Sequence, residues 1–279
     1  MIPARFDYEV AESPEHALEL LGSREDAKAI AGGHSLVPAM KLRVARPALL
    51  VDIGRLDGLA GVRDTGEQLA IGALTRHAAL ARDPLLQQHC PLVAHAAGLI
   101  GDPQVRHRGT IGGSLAHGDP ASDLPAVVLA LGAELVVRGK GGERVVPAAD
   151  FFRGVFETAV GPGELLTEIR VPKLGGAGWS YLKFRRRAQD WATVGVVALL
   201  GRDNGRVTSA AVALVNMGGT PLRAAGTEAA LVGGASAADA SAAIADGTQP
   251  PSDPTASGEF RSHLARVVGR RAIEEALAR

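Results

Sequence analysis

Apolar positions along the chain alternate or recur at helical spacing in short blocks. Phe6, Tyr8 and Val10 alternate with polar neighbours, as one face of a strand does. Ser13-Pro14-Glu15 then reads as a helix start, with Ser as N-cap, Pro in the first turn and an acid beside the positive end of the dipole. Ala17, Leu18, Leu20 and Leu21 form its buried face, and Gly22 is the expected stop. Residues 28–31 predict a short strand entering Gly32-Gly33-His34-Ser35, residues 36–43 a short helical or irregular segment, and residues 49–53 another strand. A second block opens with a strand at 69–71. It continues with a helix capped by Thr75 and bearing Leu80, Leu85 and Leu86, then one through Leu92, Val93, Ala96, Leu99 and Ile100.

The pattern breaks over residues 101–123, which are dense in Gly, Asp, Pro and His. An irregular stretch that long inside a compact domain is usually functional or disordered, and its apolar insert from Thr110 to Leu115 argues for function. A helix over 124–131 and strands at 134–137, 144–146 and 165–171 follow. Gly175-Gly176-Ala177-Gly178 is the best candidate boundary. It gives a first domain of residues 1–175, with subdomains of about 1–58 and 59–175, and a second domain of residues 178–279. The second holds strand-like runs at 179–184, 194–200 and 207–215, then two helical stretches separated by the proline-rich 250–254 segment. Strands and helices mix without regular βαβ alternation, so the fold class expected is α+β.

Composition removes several classes of chemistry. Lys plus Arg and Asp plus Glu both total 30, so the net charge is zero and nothing suggests a nucleic-acid surface. Cys90 is the single cysteine, which excludes an intrachain disulfide and a cysteine-ligated iron–sulfur cluster within this chain. Its apolar surroundings beside Pro91 favour a buried, inert thiol. The opening residues include Arg5, Asp7 and Glu9 without a long apolar run, so neither a signal peptide nor a membrane span is expected, and the cytoplasm is the expected compartment. His34, His107 and His117 lack metal-ligand spacing, and no metal site is expected.

The candidate chemistry lies at Ala31-Gly32-Gly33-His34-Ser35 and Thr110-Ile111-Gly112-Gly113-Ser114. Paired glycines allow positive φ and lack Cβ atoms, so successive backbone N–H groups can converge on an anion. Ser35, Thr110 and Ser114 add hydroxyls at small steric cost. Read alone, each pair is as compatible with a plain turn, since the chain has 35 glycines. Neither motif is a Walker loop, and no G-x-G-x-x-G follows a strand.

In order along the chain, three regions resemble the FAD subunits of the molybdenum hydroxylases, the xanthine dehydrogenase family. The first runs from Ala31 through Leu36 to Arg43. The second is Thr110 to Ser114 with Asp119-Pro120-Ala121-Ser122-Asp123-Leu124-Pro125. The third is Lys183 with Arg187-Ala188-Gln189-Asp190-Trp191-Ala192. The Gly-Gly-His-Ser form of the first motif resembles the carbon monoxide dehydrogenase branch.

The resemblance implies an FAD-binding domain of the p-cresol methylhydroxylase (PCMH) and vanillyl-alcohol oxidase type, built of two α/β subdomains. A C-terminal α+β domain of the carbon monoxide dehydrogenase flavoprotein type would cover the flavin. By the same resemblance, Ala31, Gly32, Gly33, His34, Ser35, Leu36 and Thr110, Ile111, Gly112, Gly113, Ser114 would contact non-covalent FAD at its pyrophosphate and ribityl. Asp123 would meet the ribose or adenine side, and Lys183 would lie near the ring. Trp191 stands where the family usually has a stacking tyrosine. No residue of this chain is expected to be catalytic toward the organic substrate.

The implied role is electron outlet. A molybdenum-containing large subunit would oxidise substrate, a small [2Fe-2S] subunit would relay electrons, and this chain would pass them to an external acceptor. A dimer of heterotrimers is implied, cytoplasmic and able to associate with the inner face of the membrane. Two other readings stand beside it: a stand-alone PCMH-type FAD oxidoreductase, and the flavin subunit of a related hydroxylase acting on nicotine, purines or aldehydes.

Overall fold

A computed structural model describes all 279 residues. The chain begins with β1 (Asp7–Val10), α1 (Pro14–Leu21), β2 (Ala27–Ile30), α2 (Leu36–Lys41) and β3 (Leu49–Asp52). Ser13 caps α1 by accepting from the His16 N–H, and Pro14 fills the first turn, as the sequence predicts. Gly22 ends the helix in the right-handed region, at φ −83°. The three strands form a parallel sheet in the order β1-β3-β2. Ala17, Leu18 and Leu21 of α1 pack on Leu49 and Val51 in a small core of their own.

The middle of the chain supplies β4 (Val62–Asp64), β5 (Gln68–Gly72), then α3 (His77–Leu80), α4 (Pro84–His89), α5 (Pro91–Gly98), α6 (Pro103–Arg108), α7 (Ile111–His117) and α8 (Asp123–Ala130). It closes with β6 (Glu134–Gly139), β7 (Gly142–Pro147), α9 (Ala148–Phe151), β8 (Phe152–Gly154), β9 (Glu157–Thr158) and β10 (Leu165–Pro172). An antiparallel sheet in the order β4-β5-β10-β6-β7 carries the helices.

Two expectations change here. The helix expected from Thr75 is two helices, because Asp83 caps a new one at Pro84 by accepting from the Leu86 N–H. Thr75 caps neither; its hydroxyl donates to Gly72 O. The stretch 101–123 is also not an irregular loop. Asp102 caps α6 through the Val105 N–H, and Thr110 caps α7 through the Gly113 N–H.

The last part holds β11 (Gly178–Phe184), β12 (Val194–Asp203), β13 (Arg206–Val215), β14 (Leu222–Arg223), α10 (Ala225–Val232), α11 (Ala237–Ala242) and α12 (Gly258–Ala278). Three helices, not two, follow the strands. The four strands form an antiparallel sheet in sequence order. One face packs on α12 through Val196, Ala198, Leu264, Val268 and Ile273. Tyr181, Val197, Ala213 and Val215 on the other face join the core built around α5 and α8. Helix α8 is accordingly buried along its whole length. Gly175 and Gly176 have positive φ and open space, whereas Gly178 is a packing glycine whose added Cβ would strike the Ala276 backbone.

Buried Arg261 fastens the proline-rich segment to α12. It donates to Pro251 O at 2.9 Å and pairs with Asp253 at 2.6 Å. No helix is long and apolar enough to cross a membrane.

Candidate functional site

The two glycine motifs lie against one another at the border of the first two cores. A Cβ on Gly32 would collide with the Arg108 carbonyl and come within 2.8 Å of Gly109 Cα, so only glycine allows the first motif this close to the chain entering the second. Gly33 sits at φ +74°, a left-handed conformation that glycine adopts without strain. The strand β2 thus ends in a turn whose backbone is free to face outward.

The backbone amides of the two motifs differ. The N–H groups of Gly32, Gly33, His34, Ser35 and Leu36 have no acceptor anywhere in the protein. They belong to half-buried residues, apart from exposed His34. Unpaired amides that water reaches only in part are costly unless a ligand accepts from them. The Ser35 hydroxyl makes no capping bond to α2 either.

In the second motif the four amides after Thr110 are already committed. Ile111 N–H donates to Thr75 O at 3.0 Å, Gly112 N–H to Ala73 O at 2.8 Å, Gly113 N–H to Thr110 Oγ1 at 3.1 Å and Ser114 N–H to Thr110 O at 3.0 Å. A bridge between Arg76 and Thr110 and the His77 N–H bond to Gly109 O complete the attachment. A Cβ on Gly112 would stand 2.5 Å from Ala73 Cβ and 2.7 Å from Ala73 O. This motif is therefore a helix start pinned to 73–77, and its half-buried Ser114 hydroxyl remains open to a ligand.

His77, which sequence reasoning passed over, sits beneath this junction. Its ring is 4% exposed, lies against Gly109, and leaves Nδ1 without a partner. Burial pushes its pKa down to about 4, so the imidazole is neutral at physiological pH.

Asp123 and Lys183 come together as a buried ion pair at 2.8 Å, each side chain only 3% exposed. Asp123 opens α8 and Lys183 lies on β11, so the pair spans the seam between the middle and last parts of the chain. Tyr181 donates its hydroxyl to the other Asp123 oxygen, and Lys183 also reaches Leu99 O at 3.3 Å. Both Asp123 oxygens thus accept from protein donors. Burial raises the Asp123 carboxyl, opposed by Lys183 and Tyr181, and pushes the Tyr181 phenol well up. Gly195 makes room for that phenol, since a Cβ there would stand 2.9 Å from the hydroxyl oxygen. That glycine inside an apolar strand was the one signal of Tyr181 in the sequence.

Beside the pair, Arg185 from β11's exit and Arg106 from α6 both donate to the 99–101 turn. Arg185 bonds Leu99 O at 3.2 Å and Arg106 bonds Ile100 O at 2.9 Å. They border a hollow of about 300 Å³ that also touches Gly101, Ala188 and Gln189. Trp191 follows Gln189 by two residues in the segment between β11 and β12 and is 56% exposed. The other singled-out groups are quiet: His107 bonds Pro103 O, His117 stacks against Phe156, and Cys90 is buried with its thiol pushed up to about 12.

The first motif fits an extended, diphosphate-bearing cofactor on its own observation. It offers a row of unpaired N–H donors on a glycine turn, with the Ser35 hydroxyl among them.

Comparison with known proteins agrees with that fit. Residues 4–174 match the family described as FAD binding domain in molybdopterin dehydrogenase, and residues 179–276 match the CO dehydrogenase flavoprotein C-terminal domain. The chain is 42% identical to the carbon monoxide dehydrogenase medium chain of Hydrogenophaga pseudoflava, covering 100% of this chain and 99% of that one. It is 41% identical to the alpha subunit of the 6-hydroxypseudooxynicotine dehydrogenase complex of Paenarthrobacter nicotinovorans, covering 100% and 97%. A chain of the solved reconstituted CO dehydrogenase from Oligotropha carboxidovorans superimposes with a TM-score of 0.97 at 41% identity, covering 100% of both.

Proposed function

The chain belongs to the family of FAD-binding subunits of the molybdenum hydroxylases, and from that premise we propose that it is the electron outlet of a heteromeric hydroxylase of the carbon monoxide dehydrogenase type. When bound, FAD supplies a carrier that takes up two electrons and releases them to an acceptor. The observation that carries the reading is the row of unpaired amides from Gly32 to Leu36, which would donate to the pyrophosphate. The Ser35 and Ser114 hydroxyls would add donors, and the close contact at Gly32 would hold both motifs around the cofactor. Lys183 and Asp123 would set the local field at the seam, and Trp191 would shield the ring from solvent in place of the usual tyrosine.

The lone cysteine supports the division of labour. Cys90 is buried and cannot ligate a cluster, so electrons must arrive from partner subunits, a molybdenum-containing large one and an iron–sulfur small one. No group in the site is placed as a base for an organic substrate, which favours this reading over a stand-alone oxidoreductase. The 41% identity to a nicotine-derivative dehydrogenase subunit supports a second reading, in which the same outlet serves a pyridine-type substrate.

The test is anaerobic addition of carbon monoxide, and separately of 6-hydroxypseudooxynicotine, to the co-expressed complex and to the chain alone. The reading expects flavin bleaching only in the complex, with the effective substrate naming the branch. Bleaching by substrate in the chain alone would overturn it.

A further inference from the structure

Trp191 is displayed, not packed. Its indole is exposed, yet the two residues after it are fixed in the core, Ala192 at 1% and Thr193 at 5% exposure. Three hydrogen bonds pin this base. Thr193 N–H donates to Phe184 O at 2.9 Å and closes the segment 185–192 on the end of β11. Arg261 of α12 donates to Thr193 O. Asn216, which follows β13, donates its Nδ2 to Ala192 O at 2.8 Å. Within the segment, Arg187 N–H bonds the Asp190 carboxylate at 3.2 Å and Asp190 N–H bonds Arg187 O at 3.1 Å. The span leading to Trp191 therefore holds its own shape.

Asn216 does more than hold Ala192. Its backbone N–H donates to Pro120 O at 2.9 Å, in the stretch that joins the second glycine motif to Asp123. One residue thus ties the Trp191 segment to the segment leaving α7. It stands at φ +62°, a conformation that asparagine and glycine tolerate best.

The Trp191 segment also lies where a ring would be reached from the first motif. The end of α6 meets that motif, where Gly32 packs on Arg108 and Gly109. The start of α6 borders the hollow shared with Ala188 and Gln189, through Asp102 and Pro103. Six residues of helix separate the two, about 9 Å at 1.5 Å per residue. A pyrophosphate held at amides 32–36, with its ribityl extended along α6, would bring the ring to the Trp191 segment.

We propose that Asn216 is a positioning residue for the flavin, its side-chain amide holding Ala192 so that Trp191 stacks on the ring. The inference rests on the reading of Trp191 as the ring's shield. Aromatic planes pair only within a narrow range of distance and tilt. A base fixed by a side-chain donor sets that geometry before the cofactor arrives, so less freedom is lost on stacking.

The test is the emission of bound flavin in the full chain loaded with FAD, with FAD content and unfolding midpoint measured on each variant. Asn216→Gly is the clean deletion, because glycine keeps the left-handed backbone and the N–H bond to Pro120 while removing Nδ2. Asn216→Asp keeps the shape and replaces the donor with an acceptor that Ala192 O repels. Loss of one hydrogen bond is expected to shift the balance between stacked and displaced indole about fivefold, equivalent to about 1 kcal/mol. Flavin emission in both variants should therefore rise toward that of Trp191→Ala, where no indole quenches the ring. In the Trp191→Ala background, Asn216→Gly should add nothing, since no indole is left to place. Emission as quenched in Asn216→Gly as in wild type would overturn the proposal, and so would an equal rise in both backgrounds. A rise in Asn216→Gly with Asn216→Asp still quenched would overturn it as well, because the donor would then not matter. Bound flavin no brighter in Trp191→Ala than in wild type would instead sink the shielding reading beneath it, and a chain that carries no FAD would sink the flavin reading itself.

Discussion

Gly32-Gly33 and Gly112-Gly113 share a sequence setting, each between an apolar residue and a nearby serine, but the amides around them are used differently. From the first pair onward, five successive N–H groups find no acceptor in the protein. Around the second, four successive N–H groups are bonded to Ala73, Thr75 and Thr110. The first pair permits a left-handed turn and a close crossing; the second permits a helix to start hard against Ala73. A glycine pair therefore announces backbone proximity, and only the hydrogen-bond pattern says whether ligand or protein is the neighbour.

The largest expected effect comes from crowding the second pair. Gly112→Val places a branched side chain where even a Cβ lies 2.5 Å from Ala73 Cβ, and should cost about 3 kcal/mol in urea unfolding, with flavin retention falling in parallel. A variant as stable as wild type would break the view of this motif as a brace.

The pH dependence of stability probes the same junction. His77 has a folded pKa of about 4 against the ordinary histidine value of 6.5, so the unfolded chain binds the extra proton first as pH falls. Its neutral form carries no penalty above pH 6.5, and stability is lost from there down to about pH 4, by roughly 3 kcal/mol at most. His77→Phe should flatten unfolding midpoints across that window. An unchanged slope would mean that the ring is not held neutral in the fold.

Gly33→Ala tests the first pair with a smaller expected cost. Strain at φ +74° should lower stability by about 1–2 kcal/mol, while FAD affinity by fluorescence titration falls disproportionately, about tenfold or more. Equal affinity at reduced stability would make this turn merely structural.

Much of this was legible beforehand where local signals act alone. Ser13-Pro14 marks α1, and apolar runs mark β3 and the long β12 and β13. The resemblance supplied the family, both domain types and the cofactor. What it could not supply was set by packing. Asp102 and Thr110 are ordinary caps, but the helices they open are six and seven residues long, and α7 carries two glycines. Such helices stand through tertiary contacts and not through propensity. The extended helix expected from Thr75 failed because Pro84 favours a first-turn position, and Asp83 supplies its cap. The Tyr181–Asp123–Lys183 cluster joins residues 58 and 60 positions apart, a distance at which no periodicity speaks.

The most direct measurement of the central claim is amide hydrogen exchange of the full chain with and without FAD. The account predicts that amides 32–36 exchange freely without FAD and become protected with it, while amides 111–114 are protected in both states. New protection confined to 111–114, with 32–36 still exchanging freely when FAD is bound, would contradict it.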